Sequence, residues 1–367
     1  MKIVFFIHSL VGGGAERVVA GLASGLADRG HEVVLLTLDD GEVTTYSLSS
    51  QVQRIGLNLL HPASGMIDGW LRTRERIATL RRAVSSLEPS VVISFCDSNN
   101  LLMAMATRHR DRDFRVWLCE RSDPTMQRLS RVKRWLQRRS YPMADRVLVQ
   151  TEAARQAMQR GLMRGCPEKV GILDTAIDIP RPMRELPFAE TSKTIVFTGR
   201  LDPEKGVDRL IEAFAKLQEA SLWRLRIVGR GCLDGQLRDL ALRLGVSEQI
   251  EFLDWQSCLE EQFKDATMFA LPSHYEGMSS SLIEAMAMGI PVVALDTQVG
   301  SVELIDHAQN GWLARGDDAV EGLRVGIQAL IDDPSMRQRL GSAAAASVAH
   351  LTWDRLLDQI ESAVGPA

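Results

Sequence analysis

Short apolar runs alternate with longer stretches in which apolar residues recur every three to four positions along most of the chain. The short runs predict β-strands and the longer stretches predict helices, because side chains alternate across a strand and repeat every 3.6 residues on a helix. Strands that alternate with helices in this way favour parallel sheets covered on both faces. The strands predicted for the first half are Lys2–Ile7, Glu32–Leu38, Ser90–Phe95, Val116–Cys119 and Arg146–Gln150.

A second series of elements follows the proline-containing stretch 179–183. Its predicted strands are Thr194–Thr198, Arg224–Val228, Ile250–Leu253, Met268–Leu271 and Pro291–Leu295. The predicted helices are Ala15–Arg29, Val207–Ala220, Asp234–Leu244, Ser281–Met288, Ala319–Asp332 and Asp354–Val364. We therefore predict two doubly wound α/β domains of Rossmann-like type facing across a cleft, with the chemistry in the loops at the carboxyl ends of the strands.

The chain length of 367 residues also favours two domains, because single cores stop growing below this size. We predict an N-terminal domain over residues 1–173, a linker over 174–190 and a C-terminal domain over 191–351. A helix within 352–367 is expected to pack back on the N-terminal domain.

Charge is distributed unevenly between the two halves. Residues 1–170 hold 25 Lys and Arg against 17 Asp and Glu, a net charge of +8, whereas residues 171–367 hold 18 against 30, a net charge of −12. The N-terminal half is therefore suited to an anionic partner. The five cysteines are widely spaced and favour a reducing cytoplasm. Neither a membrane span nor a signal peptide is expected from the apolar runs.

Three glycines, Gly12, Gly13 and Gly14, connect the first predicted strand to the first predicted helix, in which Glu16 and Arg17 follow. Glycines let backbone amides approach a phosphate, and the start of a helix favours an anion. The run is not a dinucleotide fingerprint, because Arg17 stands where the third glycine belongs. A plain connector is the alternative interpretation.

A second glycine-containing loop, after strand Thr194–Thr198, carries Arg200 and Lys205. A guanidinium and an ammonium five residues apart in a loop are suited to binding a diphosphate together. The alternative is that both cations pair with Asp202 and Glu204 on the surface.

Two carboxylates, Glu276 and Glu284, flank Gly277 and the serine run 279–281 after strand Met268–Leu271. The run predicts a loop and a helix start whose amides can receive phosphate oxygens. The carboxylates are suited instead to accept hydrogen bonds from sugar and ribose hydroxyls. Glu284 alone could equally be an acidic residue favoured by the helix dipole.

The segment 128–139 is strongly basic and places Leu129, Val132, Trp135 and Leu136 on one helical face. Such a helix can lie on an anionic membrane or receive an anionic group such as a diphosphate. Packing of the apolar stripe on its own domain is the alternative.

Together these motifs resemble the family 4 (group 1) retaining glycosyltransferases of the GT-B fold, over essentially the whole chain and in the right order. Residues 310–313, Asn-Gly-Trp-Leu, are similar to a turn of that family. Segments 120–124 and 138–145 are similar to those of bacterial enzymes that extend polyprenyl-diphosphate-linked glycans or polysaccharide repeat units, often with galactose or N-acetylgalactosamine.

The resemblance implies a role for each matching residue. Arg200 and Lys205 would hold the donor diphosphate, Glu276 the transferred hexose and Glu284 the ribose. The donor site would be completed by Gly13, Gly14, Gly277, Met278, Ser279 and Ser280. The acceptor or membrane side would comprise Glu16, Arg121, Arg131, Lys133, Arg134, Arg138 and Arg139. Arg121 stands where many members have a histidine, and the loop 174–178 departs from the family pattern.

The expected activity is transfer of a hexose or N-acetylhexosamine, with retention, from a nucleotide sugar, expected to be a UDP sugar, to a lipid-linked or oligosaccharide acceptor. Neither a cofactor nor a metal is expected, and the metal-type pair Asp111 and Asp113 is expected to be solvated. We expect a cytoplasmic protein, peripheral on the inner face of the cell membrane, that binds no nucleic acid. A nucleotide-sugar epimerase and a non-catalytic nucleotide-sugar-binding protein are the alternatives.

Overall fold

The structure, a computed structural model, describes residues 1–61, 65–108, 112–121, 130–177, 192–256, 258–297 and 300–365. The chain forms two compact units. Unit 1 comprises Met1–Ala176 and Leu351–Ala367, and unit 2 comprises Ile177–His350. None of the helices in these described ranges is long and apolar enough to cross a membrane.

Unit 1 is built on a parallel sheet of seven strands. These are β1 Lys2–Ile7, β2 Glu32–Thr37, β3 Gln53–Gly56, β4 Val91–Phe95, β5 Arg115–Cys119, β6 Arg146–Val149 and β7 Val170–Ile172. Their order is β3-β2-β1-β4-β5-β6-β7. The helices are α1 Gly14–Asp28, α2 Met66–Leu87, α3 Asp97–Ala106, α4 Arg131–Ser140 and α5 Glu152–Arg160.

Side chains of β1 show why this sheet is covered on both faces. Ile3 and Phe5 lie in a buried cluster with α1, whereas Val4 and Phe6 lie in a second cluster with residues of α2 and α3. Because successive side chains of a strand point to opposite faces, a strand buried on both sides becomes a continuous apolar run.

Unit 2 repeats this plan with six parallel strands. They are β8 Thr194–Thr198, β9 Arg224–Val228, β10 Ile250–Leu253, β11 Ala266–Leu271, β12 Val292–Leu295 and β13 Trp312–Ala314. Their order is β10-β9-β8-β11-β12-β13. The helices are α6 Val207–Ala215, α7 Asp234–Arg243, α8 Leu259–Gln262, α9 Ser280–Ala287, α10 Ser301–Leu304, α11 Ala319–Asp332 and α12 Pro334–Val348. The strand order reverses between β8 and β11, and open α/β sheets bind ligands at such a switch point.

All ten predicted strands are present, with ends that differ by at most two residues. One predicted helix was too long: Val207–Ala220 ends at Ala215, because the chain turns back towards β9 through Glu219, which has a left-handed φ of 58°. The last helix, α13 Trp353–Val364, packs against α1 in unit 1.

Glycines of α1 allow this contact. A Cβ on Gly21 would lie 2.0 Å from Cη2 of Trp353, and one on Gly25 would lie 2.7 Å from Cδ1 of Leu357. Arg29, directly after α1, adds ion pairs from its guanidinium to Asp358 (2.7 Å) and Glu361 (2.7 Å). The C-terminal helix is thus held by apolar packing along α1 and by charge at the end of α1.

We expect Gly21→Ala to lower the melting temperature in the wild-type background and to raise it in a Trp353→Ala background. Alanine in place of a helical glycine normally stabilises by about 1 kcal/mol, but here the new methyl group collides with the indole. Thermal and denaturant unfolding of both single variants and the double variant would measure the coupling. Gly235→Ala in α7, where nothing lies within 4 Å of the new Cβ, is the control. A change of the same sign in both backgrounds would contradict the proposed collision.

Candidate active site

The loops after β8 and β11 meet at the switch point of unit 2. Gly206, with a φ of 59°, allows this approach, because a Cβ there would lie 2.4 Å from the carbonyl oxygen of Pro272. The backbone N–H of His274 donates to the carbonyl of Glu204 at 2.9 Å and joins the two loops. Side chains 71 residues apart in sequence are thereby placed in contact.

The central contact is an ion pair between Lys205 and Glu276. Lys205 ends a short 3-10 turn, Pro203–Lys205, and its Nζ lies 2.7 Å from Oε1 of Glu276. The hydroxyl of Ser273 donates to the same oxygen at 2.7 Å. The Glu276 side chain is only 10% exposed, so the carboxylate is held in one orientation. An ammonium and a fixed carboxylate at this edge suit a ligand that carries both phosphate oxygens and hydroxyls.

Arg200 lies in the same loop but points towards solvent. Its side chain is 65% exposed, and its guanidinium pairs with Asp202 at 2.8 Å and Glu204 at 2.6 Å. The surface pairing considered for both cations therefore holds for Arg200, whereas Lys205 pairs with Glu276. Both ion-pair partners of Arg200 thus lie in its own loop, the one that follows β8.

Helix α9 begins directly beyond this ion pair. Ser279 occupies its N-cap position, Ser280 is its first residue and Glu284 is buried at 4% exposure. The preceding turn is packed against residue 300, because a Cβ on Gly300 would lie 2.3 Å from the carbonyl oxygen of Gly277. Met278 is half-buried in the same turn. The N-terminus of α9 thus presents backbone amides beside the Lys205–Glu276 pair, an arrangement suited to an anion.

Sequence reasoning assigned no role to His274 and did not single out Ser273. Burial and the charge of Arg209 lower the pKa of His274, and Asp208 opposes the shift. Ser273 could have been found from its position, because it is a polar residue two positions after the apolar strand β11. In the structure its side chain is buried. Polar groups at strand ends are common functional positions in such sheets.

In unit 1 the glycine run 12–14 is hydrogen-bonded to a tyrosine. The Tyr46 hydroxyl accepts from the N–H of Gly13 at 2.9 Å and donates to the carbonyl of Gly13 at 2.8 Å. Gly14 begins α1, and Glu16 in its first turn is buried, with Oε1 3.5 Å from Nε2 of His8. Both the N–H and the carbonyl of Gly13 are therefore hydrogen-bonded to Tyr46 in this structure. The sequence analysis did not identify Tyr46.

Apart from Glu16, which lies on α1, the acceptor-side residues fall into two groups. Arg121 follows β5 and donates to Oγ1 of Thr175 at 3.3 Å. The others lie on α4, where Lys133 pairs with Asp97 of α3 at 2.6 Å. The exposed cations of α4 are Arg131, Arg134, Arg138 and Arg139. Some residues of the motifs discussed in the sequence analysis lie outside the described residues: Asp111, Asp178 and residues 122–129.

Two parallel-sheet Rossmann-like units are the architecture of the GT-B fold. The Glycosyl transferases group 1 family matches residues 178–347, and the Glycosyl transferase 4-like domain matches residues 13–170. The chain belongs to the group 1 glycosyltransferases and is a glycosyltransferase. This membership does not favour the epimerase or the non-catalytic alternative.

The chain is also similar to proteins of known name and, in its fold, to a solved structure. The chain is 26% identical over 347 residues, 92% of each chain, to the N-acetylgalactosamine-N,N'-diacetylbacillosaminyl-diphospho-undecaprenol 4-alpha-N-acetylgalactosaminyltransferase of Campylobacter jejuni. It is 34% identical over 230 residues to the exopolysaccharide phosphotransferase SCO2592 of Streptomyces coelicolor, covering 60% of this chain but only 24% of that protein. The fold is similar to that of Anabaena Alr3699/HepE in complex with UDP, with a TM-score of 0.74 at 19% identity and 99% coverage of both chains.

We expect Lys205→Ala to lower the turnover of glycosyl transfer at least about tenfold, since one charge-assisted hydrogen bond contributes roughly 1.5–3 kcal/mol. Glu276→Ala should impair transfer more than it weakens binding of the free nucleotide. The double variant should lose less than the sum of the single losses, because the two groups contact each other. Steady-state kinetics and nucleotide competition would measure this.

Arg324→Ala is the matched control for these variants, because Arg324 forms an ion pair with Glu321 on α11 at 2.6 Å. It should leave turnover unchanged. Unaltered kcat and KM in Lys205→Ala would exclude the proposed role of this ammonium.

Proposed function

We propose that this glycosyltransferase moves a hexose or N-acetylhexosamine, with retention of configuration, from a UDP sugar to a glycan linked to a lipid diphosphate, without a metal. The observation that carries the proposal is the Lys205–Glu276 pair, fixed by Ser273 beside the N-terminus of α9 in the group 1 domain. This pair combines a cation that can bind phosphate with a carboxylate that can accept hydrogen bonds from hydroxyl groups.

The leaving group in such a reaction is the nucleotide diphosphate, on which negative charge accumulates as the sugar departs. Preorganised donors that stabilise this charge lower the barrier. An ammonium has three donors, so Lys205 can keep one on Glu276 and direct another at a phosphate oxygen. The exposed guanidinium of Arg200 would supply a second cation once it leaves Asp202 and Glu204.

The sugar and ribose hydroxyls are assigned to the two carboxylates. Glu276 uses one oxygen for Lys205 and Ser273, which leaves its second oxygen for a hexose hydroxyl. Glu284 is assigned to the ribose, and the amides of Gly277, Met278, Ser279 and Ser280 to phosphate oxygens. In this arrangement Glu276 binds the transferred group and the α9 N-terminus binds the part that leaves.

The nature of the acceptor is inferred from the N-terminal half and from the relatives. Residues 1–170 carry a net charge of +8, which attracts a diphosphate or an anionic surface. The name of the Campylobacter relative describes transfer to a diphospho-undecaprenol-linked sugar. The Anabaena structure contains UDP, in keeping with a UDP sugar as donor.

Membrane attachment is assigned to α4. Val132 and Trp135 are 68% and 57% exposed, and the guanidinium of Arg139 lies 5.5 Å from the centre of the Trp135 ring. Helix α2 adds Trp70, which is 57% exposed in its second turn. Both helices contact α3, so they lie on the same face of the unit 1 sheet. An exposed tryptophan among arginines is typical of a helix at an anionic interface, here the inner face of the cell membrane.

We expect the protein to transfer one sugar from a UDP sugar to a polyprenyl-diphosphate-linked glycan, with the anomeric configuration of the donor preserved and with EDTA having no effect. A panel of nucleotide sugars would first be screened for thermal protection, since a ligand at 100 times its Kd adds about 2.7 kcal/mol. Mass spectrometry and NMR would then identify the product.

Conversion of the donor into its epimer without an acceptor would favour the epimerase instead. Protection without turnover of any donor and acceptor pair would favour a binding protein. An inverted product would exclude the retaining mechanism.

We expect the protein to float with vesicles that contain anionic lipid and not with neutral vesicles. Replacing Arg131, Arg134, Arg138 and Arg139 by glutamine should weaken partitioning at least about tenfold, since each basic residue near the surface contributes about 1 kcal/mol. Trp135→Ala should also weaken it. Leu242→Ser, at a residue 69% exposed in unit 2, is the control and should have no effect. Equal flotation of all variants would exclude α4 as the attachment site.

A further inference from the structure

The hydroxyl of Tyr46 is bonded to both backbone polar groups of Gly13. It accepts from the N–H at 2.9 Å and donates to the carbonyl oxygen at 2.8 Å. A hydroxyl has one proton to donate and lone pairs with which to accept, so one side chain can satisfy both groups. While this contact holds, the N–H of Gly13 is already used and does not bind a phosphate oxygen. Tyr46 therefore holds the backbone of Gly13 in place.

The segment that carries Tyr46, residues 39–49 between β2 and β3, is itself anchored along its length. We call this segment the strap. Its hydrogen bonds join it to β3, to the loop after β1 and to α1. They run from Arg54 to Asp39 (3.2 Å), from Arg54 to the carbonyl of Val43 (3.0 Å), from the Thr45 N–H to the carbonyl of Leu10 (3.0 Å) and from the Ser49 hydroxyl to Asp28 (2.7 Å). The hydroxyl of Tyr46 thus reaches the glycine run from a fixed support.

The glycine run has little of its own to hold it in one shape. Gly12 and Gly13 have φ values of 70° and 148°, in the region that favours glycine. Glycine populates both signs of φ readily, so sterics alone do not keep these residues in this conformation. Gly13 is also the N-cap residue of α1 and lacks a capping side chain. The two hydrogen bonds of Tyr46 supply the restraint that the glycines lack.

The shape of the run also determines the surroundings of Glu16. A Cβ on Gly13 would lie 2.3 Å from Oε2 of Glu16, so this buried carboxylate lies directly against Gly13. Its other oxygen lies 3.5 Å from Nε2 of His8, which follows β1. The strand order of unit 1 reverses between β1 and β4, and open α/β sheets bind ligands at such a point. Tyr46 therefore acts on polar groups at the switch point of unit 1.

We propose that Tyr46 is a positioning residue for glycosyl transfer, whose hydroxyl holds the glycine run and Glu16 in one arrangement before a substrate binds. The inference rests on the proposed function, because it concerns the transfer step of that reaction. A run that is ordered in advance loses less conformational entropy when the substrate binds. Binding of the nucleotide is independent of Tyr46, because Lys205 and Glu284, which are assigned to it, lie in unit 2.

Tyr46→Phe removes the hydroxyl and keeps the ring. It should lower kcat about tenfold, which corresponds to ordering about one further backbone residue in the transition state. Thermal protection by UDP should remain that of the wild-type protein. Ser49→Ala is the matched control, because it removes a hydroxyl hydrogen bond from the same strap without touching Gly13. It should keep the wild-type kcat, and the melting temperature should change little in either variant.

Gly13→Ala supplies a second measurement. Its methyl group would collide with Glu16, so the run is displaced whether or not Tyr46 is bonded to it. Gly13→Ala should lower kcat by itself, and adding Tyr46→Phe should lower kcat little further, because both changes act through one peptide.

Hydrogen exchange gives a readout that needs no substrate. In protein labelled with 15N-glycine, the N–H of Gly13 should exchange faster in Tyr46→Phe than in the wild type or in Ser49→Ala, because its acceptor is gone.

An unchanged kcat in Tyr46→Phe would overturn the proposal, as would a loss of kcat equal to that of Ser49→Ala. Weaker protection by UDP would assign the run to the nucleotide instead. Fully additive losses in Tyr46→Phe and Gly13→Ala would show that the hydroxyl acts elsewhere, and unchanged exchange at Gly13 would show that it does not hold the run. If the wild-type protein transfers no sugar, the proposed function is refuted, whereas exchange at Gly13 still decides whether Tyr46 holds the run.

Discussion

The close approach of two loops at Gly206 is the constraint on which the candidate site depends. Strands β8 and β11 are neighbours in the sheet, but their loops meet only because residue 206 has no side chain to strike the carbonyl of Pro272. The backbone hydrogen bond from His274 to Glu204 then fixes their spacing. Lys205 and Glu276 follow these fixed points directly, so their contact is a consequence of backbone geometry as much as of charge.

Much of this fold could be predicted from the sequence, because the strands are buried on both faces and appear as apolar runs. Strands such as Thr194–Thr198 and Arg224–Val228 were predicted with the ends that the structure gives them. The early end of α6 could not be predicted, because the apolar spacing continues past Ala215 and the turn at Glu219 depends on the return to β9.

The site was predictable only in part. Each motif follows a strand, which identified Arg200, Lys205, Glu276 and Glu284 as candidates. The pairing of Lys205 with Glu276 instead of its neighbours could not be predicted, because it depends on which strands are adjacent in the sheet. Their assignment to donor phosphate and sugar remains a prediction.

Lys205 and Glu276 stabilise each other before any ligand binds, and this affects how they can act. The side chains of Lys205 and Glu276 are only 19% and 10% exposed, so both groups lose most of their hydration in the pair and a ligand that takes over one partner must also satisfy the other. In the proposed arrangement a sugar nucleotide would do this, because its phosphate oxygens would meet the ammonium while its hydroxyls would meet the carboxylate. A free phosphate would satisfy only Lys205 and leave Glu276 beside a new negative charge. The pair therefore favours a ligand that carries a phosphate and a sugar together, which is the chemical description of a glycosyl donor.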